Sequence, residues 1–245
     1  MQRHLWETKN LEEQFPYPHC GKGLLALKNY ERFQTPESKR DDKEIQDNGW
    51  GLSAQFQQFY FNALLKCIRC QGDVVCIGNM IDSDYWDGVD EEPSIGQLLK
   101  PRFFLPPLKI IDIPDDTPII IKNEIINSFE LYWVNDSACG NSIRKVLERV
   151  MDEEGILRIG INRKGKPYEL KLHDRIENFG KVNSKLLLAI KEIGNEGSHK
   201  KTSIEYILTA YKLLEYVIDK VYSTQDDEFT NLANKVIASF NKKKL

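Results

Sequence analysis

The chain has 245 residues, of which 41% are hydrophobic and 29% are charged, and its formal net charge at pH 7 is -3. This length is enough for one large domain or two modest ones, and the hydrophobic fraction is enough for a core. The small negative charge argues against a protein that coats nucleic acid by bulk electrostatic attraction, but it is compatible with a local basic site. No run approaches the ~20 apolar residues of a membrane helix, so we expect no membrane contact.

The cysteines and the first residues together predict a cytoplasmic protein. The first ten residues contain charged side chains and lack the apolar run of a signal peptide. An odd number of cysteines without a secretion signal is typical of a reducing compartment, where thiols are free or bind metal. The five cysteines are Cys20, Cys67, Cys70, Cys76 and Cys139.

Two short cysteine-bearing turns predict a small β-rich, zinc-ribbon-like module over residues 1–81. The turns, residues 18–23 and 67–73, contain glycine, and each is followed by a β-prone run, as in the arm of a hairpin. The apolar residues 56–65 are suitable for the strand that enters the second turn. The charged residues 31–48 between the turns predict a loop or a loosely held helix.

The spacing of the cysteines predicts a metal site. Cys67 and Cys70 have the C-x-x-C spacing that directs two sulfurs towards one zinc ion. Cys20 lies in the other turn, but Tyr17 occupies the position at which a second C-x-x-C would have its first cysteine. Three ligands are therefore evident, and the candidate cofactor is a structural zinc ion.

The fourth zinc ligand is open at this point. The candidates are Cys76, His4 and His19, and Cys76 is read more readily as a small buried apolar residue. His19 is adjacent to Cys20, which makes joint chelation awkward. Two interpretations remain, a zinc ribbon with a substituted ligand, or a ribbon that has lost its metal and keeps its shape by packing.

Residues 82–117 are predicted to be a connector. An acidic stretch begins this segment, and the prolines that follow disfavour a helix or a central strand. From residue 118 to residue 245, apolar residues recur with the helical period and predict a bundle of five or six helices. The predicted helices cover residues 119–133, 137–154, a short segment ending before Gly180, residues 184–193 with Gly194 as the stop, a long helix from residue 202, and residues 229–240. The predicted fold class is therefore α+β.

Three stretches of the helical region carry a resemblance to a known family. They are the helix containing Arg144 and Glu148, the short helix of residues 172–180, and above all a Gly-Asn pair, Gly194-Asn195, with His199 four residues after the asparagine. With these stretches, residues 118–222 resemble a HEPN-like helical domain of undefined function. That domain occurs in bacterial type I restriction and phage-defence proteins, often after a ribbon.

The resemblance implies a catalytic site for RNA. Active HEPN ribonucleases carry an arginine that holds phosphate, a polar residue directly after it, and a histidine that acts as general acid or base without metal. Asn195 and His199 match this pattern, whereas Gly194 replaces the arginine. Lys191 and Arg144 are the candidates for the missing positive charge. The structural alternative is that Gly194 ends a helix, Asn195 forms a left-handed turn and His199 ties the loop to a neighbouring helix.

Three functions are compatible with this sequence. The first is an antiphage or toxin-like defence protein, a homodimer through its helical domain, that binds or cleaves RNA. The second is a non-catalytic module that binds nucleic acid or a defence-system protein, for which Trp86, Phe103 and Phe104 are candidate contacts. The third is an antitoxin-like partner. No glycine motif for a nucleotide cofactor is present.

Overall fold

A computed structural model describes residue 11 and residues 15–20, 23–48, 58–85, 94–199 and 203–223. At some positions, including residues 81–85, 94–97 and 196–199, it describes the backbone alone. The chain has a mixed α+β structure and divides into two compact units. The first comprises Met1–Ile110 with Ile126–Cys139, and the second comprises Ile111–Ile125 with Gly140–Leu245. Within the described ranges, every helix is too short or too polar to cross a bilayer.

The first unit is built on an antiparallel sheet of four strands in the order β1-β2-β3-β4. The strands are β1 (Leu25–Gln34), β2 (Gln58–Cys67), β3 (Asp73–Tyr85) and β4 (Ser94–Leu105). The two strands predicted around the second cysteine turn are therefore present as β2 and β3. Because the cysteine turn joins them directly, the pairing of Lys66 with Asp73 starts at the base of that turn.

The charged segment between the cysteine turns is partly strand and partly helix. Residues 31–34 complete β1, and helix α1 covers Pro36–Asn48. The side chain of Ser38 accepts a hydrogen bond of 2.7 Å from the backbone N–H of Gln58, and so ties α1 to the start of β2. Of the two predictions for this segment, a loop or a loosely held helix, the helix is therefore present over residues 36–48.

The proline-rich segment, predicted as a connector, contributes a strand to the sheet. β4 tolerates proline because it is an edge strand. Its Pro101 lies opposite Gly78, next to an irregularity in the pairing of β3 with β4. An edge strand leaves one row of backbone groups unpaired, so a missing N–H there is harmless. Residues 106–118, after β4, form neither helix nor strand.

Aromatic side chains form the centre of the first unit. The rings of Phe104 and Trp133 lie 4.6 Å apart, and the ring of Phe15 lies 5.4 Å from that of Trp133. All three are buried. Alternate residues of β2 and β3, such as Phe61 and Met80, are buried with them, as expected for a sheet with one covered face.

The second unit contains most of the helices. The elements after residue 118 are α2 (Ile119–Val134), α3 (Asp136–Glu153), β5 (Ile159–Ile161), β6 (Pro167–Glu169), α4 (Leu172–Glu177), α5 (Ser184–His199) and α6 (Ile204–Tyr222). The positive φ of Gly155, 71°, allows the chain to turn away after α3, as the sequence predicts. The predicted helix over residues 229–240 lies outside the described residues.

The predicted stop at Gly194 is wrong. α5 continues through Gly194 and Asn195 to His199, and among the described residues only Gln71 has a positive φ without being glycine. Asn195 is therefore helical and forms no left-handed turn. Glycine costs about 1 kcal/mol in a helix interior but does not end a helix that packs against a neighbour.

Candidate functional site

A cavity of about 470 Å³ lies in the second unit, and basic side chains dominate its wall. It is bordered by α3, by α5 and by the segment from β6 into α4. Five of its lining residues are basic and two, Glu148 and Glu169, are acidic. The basic residues are Arg144, Arg158, Lys171, Arg175 and Lys191. This excess of positive charge favours an anionic ligand.

Asp152 fixes two of these arginines. Its carboxylate accepts hydrogen bonds from Arg158 and from Arg175, the latter at 2.7 Å. Arg158 contributes most to lowering the pKa of the Asp152 carboxyl, and Arg175 adds to the effect. The carboxylate therefore stays ionised at neutral pH and holds both guanidinium groups in place.

Arg175 is the most enclosed of the basic residues. Its side chain is only 4% exposed, and the carbonyl oxygen of Ile156 accepts a second hydrogen bond from it at 2.9 Å. Its Nε atom is buried and has no hydrogen-bond partner among the described residues. A buried donor without a partner is costly, so an anionic ligand that reached it would gain from the bond.

Lys191 and Asn195 lie one turn apart on α5 and share one carboxylate. The Lys191 ammonium is 2.5 Å from a carboxylate oxygen of Glu192, and the Asn195 amide donates to the other oxygen at 3.5 Å. The hydrogen bond from Lys191 is the largest cause of the lowered pKa of the Glu192 carboxyl. Glu192 therefore orients the two polar groups of α5 beside the cavity.

At Gly194, α5 lies close against α3. A Cβ atom added to Gly194 would lie 2.7 Å from the Cβ atom of Arg144 and 2.8 Å from the carbonyl oxygen of Gly140. An arginine at position 194, as active relatives of the resembled family have, would therefore not fit. The space beside Gly194 is instead occupied by the side chain of Arg144, which comes from α3.

Three of the four predicted catalytic residues meet at this cavity. Arg144, Lys191 and Asn195 line it, while His199 follows Asn195 by one helical turn in α5, and its side chain lies outside the described part of the structure. Arg144 also pairs with Glu148 at 3.2 Å, the (i, i+4) pair expected on a helix surface.

Sequence reasoning missed Arg158, Arg175 and Asp152. A signal for Arg175 was present, because it follows inward-facing Leu172 by three residues on α4, and an arginine on a buried face needs a partner. No pattern in the sequence pointed to Arg158, which lies just before the short strand β5. His173 also lines the cavity, although about half of its side chain faces solvent.

The second candidate site is a cluster of three cysteines in the first unit. The sulfur atoms of Cys20, Cys67 and Cys70 all lie within 4.8 Å of one another, close enough to bind one metal ion. The sulfurs of Cys20 and Cys67 are 3.7 Å apart. Burial raises the pKa of the Cys67 thiol, but hydrogen bonds from the backbone of Cys70 and Arg69 outweigh it and bring the pKa to about 7. A thiol that ionises this readily suits metal binding.

The other predicted ligands lie apart from this cluster or outside the described residues. Cys76 is buried on β3, its sulfur is directed to the carbonyl oxygen of Ile77 at 3.7 Å, and burial strongly raises its thiol pKa. It is not one of the three clustered cysteines. His19 is exposed and its ring contacts that of Tyr17, 5.5 Å away. Cys139 is buried in α3, and His4 is not among the described residues.

The sheet of the first unit has an exposed face with aromatic side chains. Phe33, Tyr60 and Phe103 are 51%, 48% and 36% exposed. Phe33 pairs directly with Tyr60. Tyr60 pairs with Asn79 of β3, and Phe103 pairs with Ile77, two residues earlier on the same strand. Because alternate residues of a strand share a face, the three aromatic side chains lie on one face of the sheet. Of the other aromatic candidates, Phe104 belongs to the core and Trp86 lies outside the described residues.

Comparisons with known proteins divide the chain in a similar way. Residues 7–104 match a family described as "Domain of unknown function (DUF8608)", and residues 127–243 match one described as "Domain of unknown function (DUF4145)". Each match covers less than half of the chain. The cysteine cluster lies in the first and the residues that line the cavity lie in the second. No curated protein and no solved structure matches the chain.

The helix crossing predicts that Gly194 tolerates no side chain. Gly194→Ala should lower the free energy of unfolding by about 1–3 kcal/mol, because the added Cβ meets atoms of α3 that cannot easily move. Urea unfolding followed by circular dichroism measures this. Gly180→Ala is the matched control, since an added Cβ there meets nothing within 4 Å. Gly180→Ala should change the free energy of unfolding by no more than roughly 0.5 kcal/mol. Equal losses for the two variants would show that Gly194 is not packed tightly against α3.

Proposed function

We propose that the protein binds RNA through the basic cavity of its helical unit and acts in bacterial defence as a cytoplasmic homodimer of the HEPN-like class. The observation that carries this proposal is the convergence of Arg144, Lys191 and Asn195 on one cavity. Their neighbours there, Arg158 and Arg175, add two guanidinium groups. An RNA phosphate is the anion that such a set of donors fits.

The arrangement favours phosphate over a carboxylate ligand. A phosphodiester has two anionic oxygens and can accept from guanidinium, ammonium and amide donors at once. Arg175 is held by Asp152 and Ile156 before any ligand arrives, so little side-chain entropy is lost on binding. The carboxylates of Glu148 and Glu169 would repel an anion that approached their side of the cavity, and thereby orient it.

Cleavage of RNA is the more specific form of this proposal. His199 lies one helical turn after Asn195, and a general acid or base needs a cation nearby to stabilise charge on the reacting phosphate. Arg144 takes the part of the arginine that Gly194 replaces. The nucleophile is the 2′-hydroxyl of the RNA itself, so the reaction leaves a 2′,3′-cyclic phosphate and a free 5′-hydroxyl, with no metal involved.

The second candidate function is a module that binds nucleic acid without cutting it, or an antitoxin-like partner. The exposed aromatic face of the sheet supports the binding form. Phe33, Tyr60 and Phe103 offer planar surfaces on which unpaired bases can stack, and Lys100 and Arg102 lie next to them on β4. An antitoxin would be harmless alone and would co-purify with the toxin that it silences.

A structural zinc ion is the metal we propose for the cysteine cluster. Zinc is commonly bound by thiolates at C-x-x-C turns, and three such sulfurs converge here. The ion would link the turn before β1 to the turn between β2 and β3. Those turns are 47 residues apart in the chain, so the link would hold one end of the sheet together.

Binding to RNA is tested with two pairs of charge changes. Arg144→Gln with Lys191→Gln should weaken binding of a single-stranded RNA by roughly 10- to 100-fold, since two charge-assisted hydrogen bonds are lost. The slope of log affinity against log salt concentration should also fall by about 1.4. Fluorescence anisotropy at several salt concentrations measures both quantities.

The control for this experiment has the same change in net charge. Lys145→Gln with Lys212→Gln alters exposed lysines of α3 and α6 that do not line the cavity. Its affinity for RNA should stay within about threefold of the wild type, as expected for surface charges away from the site. If both pairs weaken binding equally, the cavity is not the RNA site.

Cleavage is tested by inducing the protein in bacteria and examining total RNA. The wild type should stop growth and produce RNA fragments with cyclic phosphate ends, whereas His199→Ala should do neither, because proton transfer is lost. His19→Ala, which changes an exposed histidine of the first unit, should behave as the wild type. If the wild type and His199→Ala are both inert, or equally toxic with intact RNA, the protein does not cleave RNA with this residue.

The zinc proposal predicts the metal content of three proteins. Elemental analysis should find about one zinc per chain in the wild type and in Cys76→Ala, and almost none in Cys67→Ser, which loses a central thiolate. Chelation of the metal should lower the melting temperature of the wild type towards that of Cys67→Ser. Retention of zinc by Cys67→Ser would rule out this cluster as the site.

A further inference from the structure

The two cysteine turns of the first unit share a backbone hydrogen bond at their base, although it closes over one more residue in the first turn than in the second. In the turn between β2 and β3, the N–H of Cys67 donates to the carbonyl oxygen of Gly72 at 2.8 Å. In the turn before β1, the N–H of Tyr17 donates to the carbonyl oxygen of Gly23, also at 2.8 Å. Tyr17 precedes Cys20 by three positions, as Cys67 precedes Cys70. Tyr17 is therefore the structural counterpart of Cys67.

The side chain of Tyr17 is directed inward, towards the other cysteine turn. It is 8% exposed. A Cβ atom added to Gly72 would lie 2.1 Å from the Tyr17 hydroxyl oxygen, so the phenol lies directly against the backbone of the second turn. The backbone of Gly72 in turn hydrogen-bonds to the sulfur of Cys70. The Tyr17 hydroxyl and the Cys70 sulfur thus have Gly72 as a common neighbour.

The two glycines show how closely the groups around this cluster are packed. An added Cβ on Gly23 would lie 2.2 Å from the sulfur of Cys67 and 3.1 Å from that of Cys20. Gly23 therefore makes room for the sulfurs, and Gly72 makes room for the phenol. A methyl group on Gly23 would displace the sulfur of Cys67, and a methyl group on Gly72 would displace the phenol of Tyr17.

We infer that Tyr17 is the fourth ligand of the metal site, with its phenol oxygen completing a set of three thiolates from Cys20, Cys67 and Cys70. This inference rests on the proposal that the cluster binds zinc. Zinc in a structural site takes four ligands in a tetrahedron, and among the described residues the cluster offers three cysteines. Tyr17 stands at the sequence position of the missing cysteine, and its phenol reaches the backbone of Gly72 in the other turn.

This ligand set has its own chemical consequences. Binding of Zn²⁺ displaces the protons of whichever of the three thiols and the phenol are still protonated, and the four anionic ligands leave a complex of charge −2. A phenol holds its proton more tightly than a thiol. The mixed set should therefore bind metal more weakly than four thiolates would, and its affinity should increase with pH.

Cobalt binding to the full-length protein tests the inference, because Co²⁺ takes the same site and its absorption reports the ligands. Four proteins are compared: the wild type, Tyr17→Phe, Tyr17→Cys and, as a control, Tyr60→Phe, which alters an exposed tyrosine of the sheet. In the wild type, metal binding should add the ultraviolet absorption of one ionised phenol. Circular dichroism of each protein checks that it is folded.

The two Tyr17 variants should change metal binding in opposite directions. Tyr17→Phe should lose the absorption of the ionised phenol and bind Co²⁺ and Zn²⁺ about 10-fold more weakly or worse. Tyr17→Cys should bind more tightly, and its sulfur-to-cobalt charge-transfer absorption should increase by about one third, since four thiolates replace three. Tyr60→Phe should match the wild type in every respect.

The possible failures are distinguishable. If Tyr17→Phe binds metal with the affinity and spectrum of the wild type, the phenol is not a ligand and the inference is overturned, while the zinc proposal stands. If metal binding to the wild type adds no absorption of an ionised phenol, the inference is again overturned. If the wild type binds no metal and is indistinguishable from Cys70→Ser, the zinc proposal and this inference both fail.

Discussion

The close approach of α3 and α5 is the constraint on which the cavity of the second unit depends. Gly194 lies against the carbonyl group of Gly140 and the side chain of Arg144, and an added Cβ on Gly194 would have no space. As a result Arg144, which is four residues after Gly140, lies beside Lys191 and Asn195. A larger residue at Gly194 would push the helices apart and separate the basic groups. Gly194, which stands where the resemblance predicts an arginine, thus also allows Arg144 to lie at the cavity.

Charge is organised around this crossing by carboxylates that do not line the cavity themselves. Asp152 holds Arg158 and Arg175, and Glu192 holds Lys191 and Asn195. These pairs reduce the net positive charge, but they fix the geometry of the donors in advance. Under the proposed function, an anion would require little rearrangement to bind, because Asp152 already fixes the guanidinium groups of Arg158 and Arg175. Such a site gains selectivity from its geometry more than from total charge.

The elements with strong local signals could be predicted from the sequence, and those decided by distant contacts could not. The apolar period identified α2, α3 and the short helix α4, and the C-x-x-C turn identified β2 and β3. The strand β4 was missed because its prolines are harmful only in a central strand, and whether a strand is at an edge depends on the whole sheet. Gly194 was misjudged for a related reason. Its helix continues because α3 packs against it, and local propensity contains no information about that neighbour.

The same distinction explains which site residues could be found. The three clustered cysteines were identified from spacing along the chain, and Arg144, Lys191 and Asn195 through the resemblance to a HEPN-like domain, whereas Arg158 and Asp152 become part of a site only through the fold. In both sites one residue departs from the usual motif, Gly194 in place of an arginine and Tyr17 in place of a cysteine. At the first site the side chain of Arg144 lies against Gly194, and at the second the long side chain of Tyr17 reaches the backbone of Gly72. A motif that lacks one residue is therefore weak grounds for calling a site inactive. What decides is whether the fold brings a group of suitable chemistry to the same point, and Arg144 and Tyr17 are the groups by which these two sites should be judged.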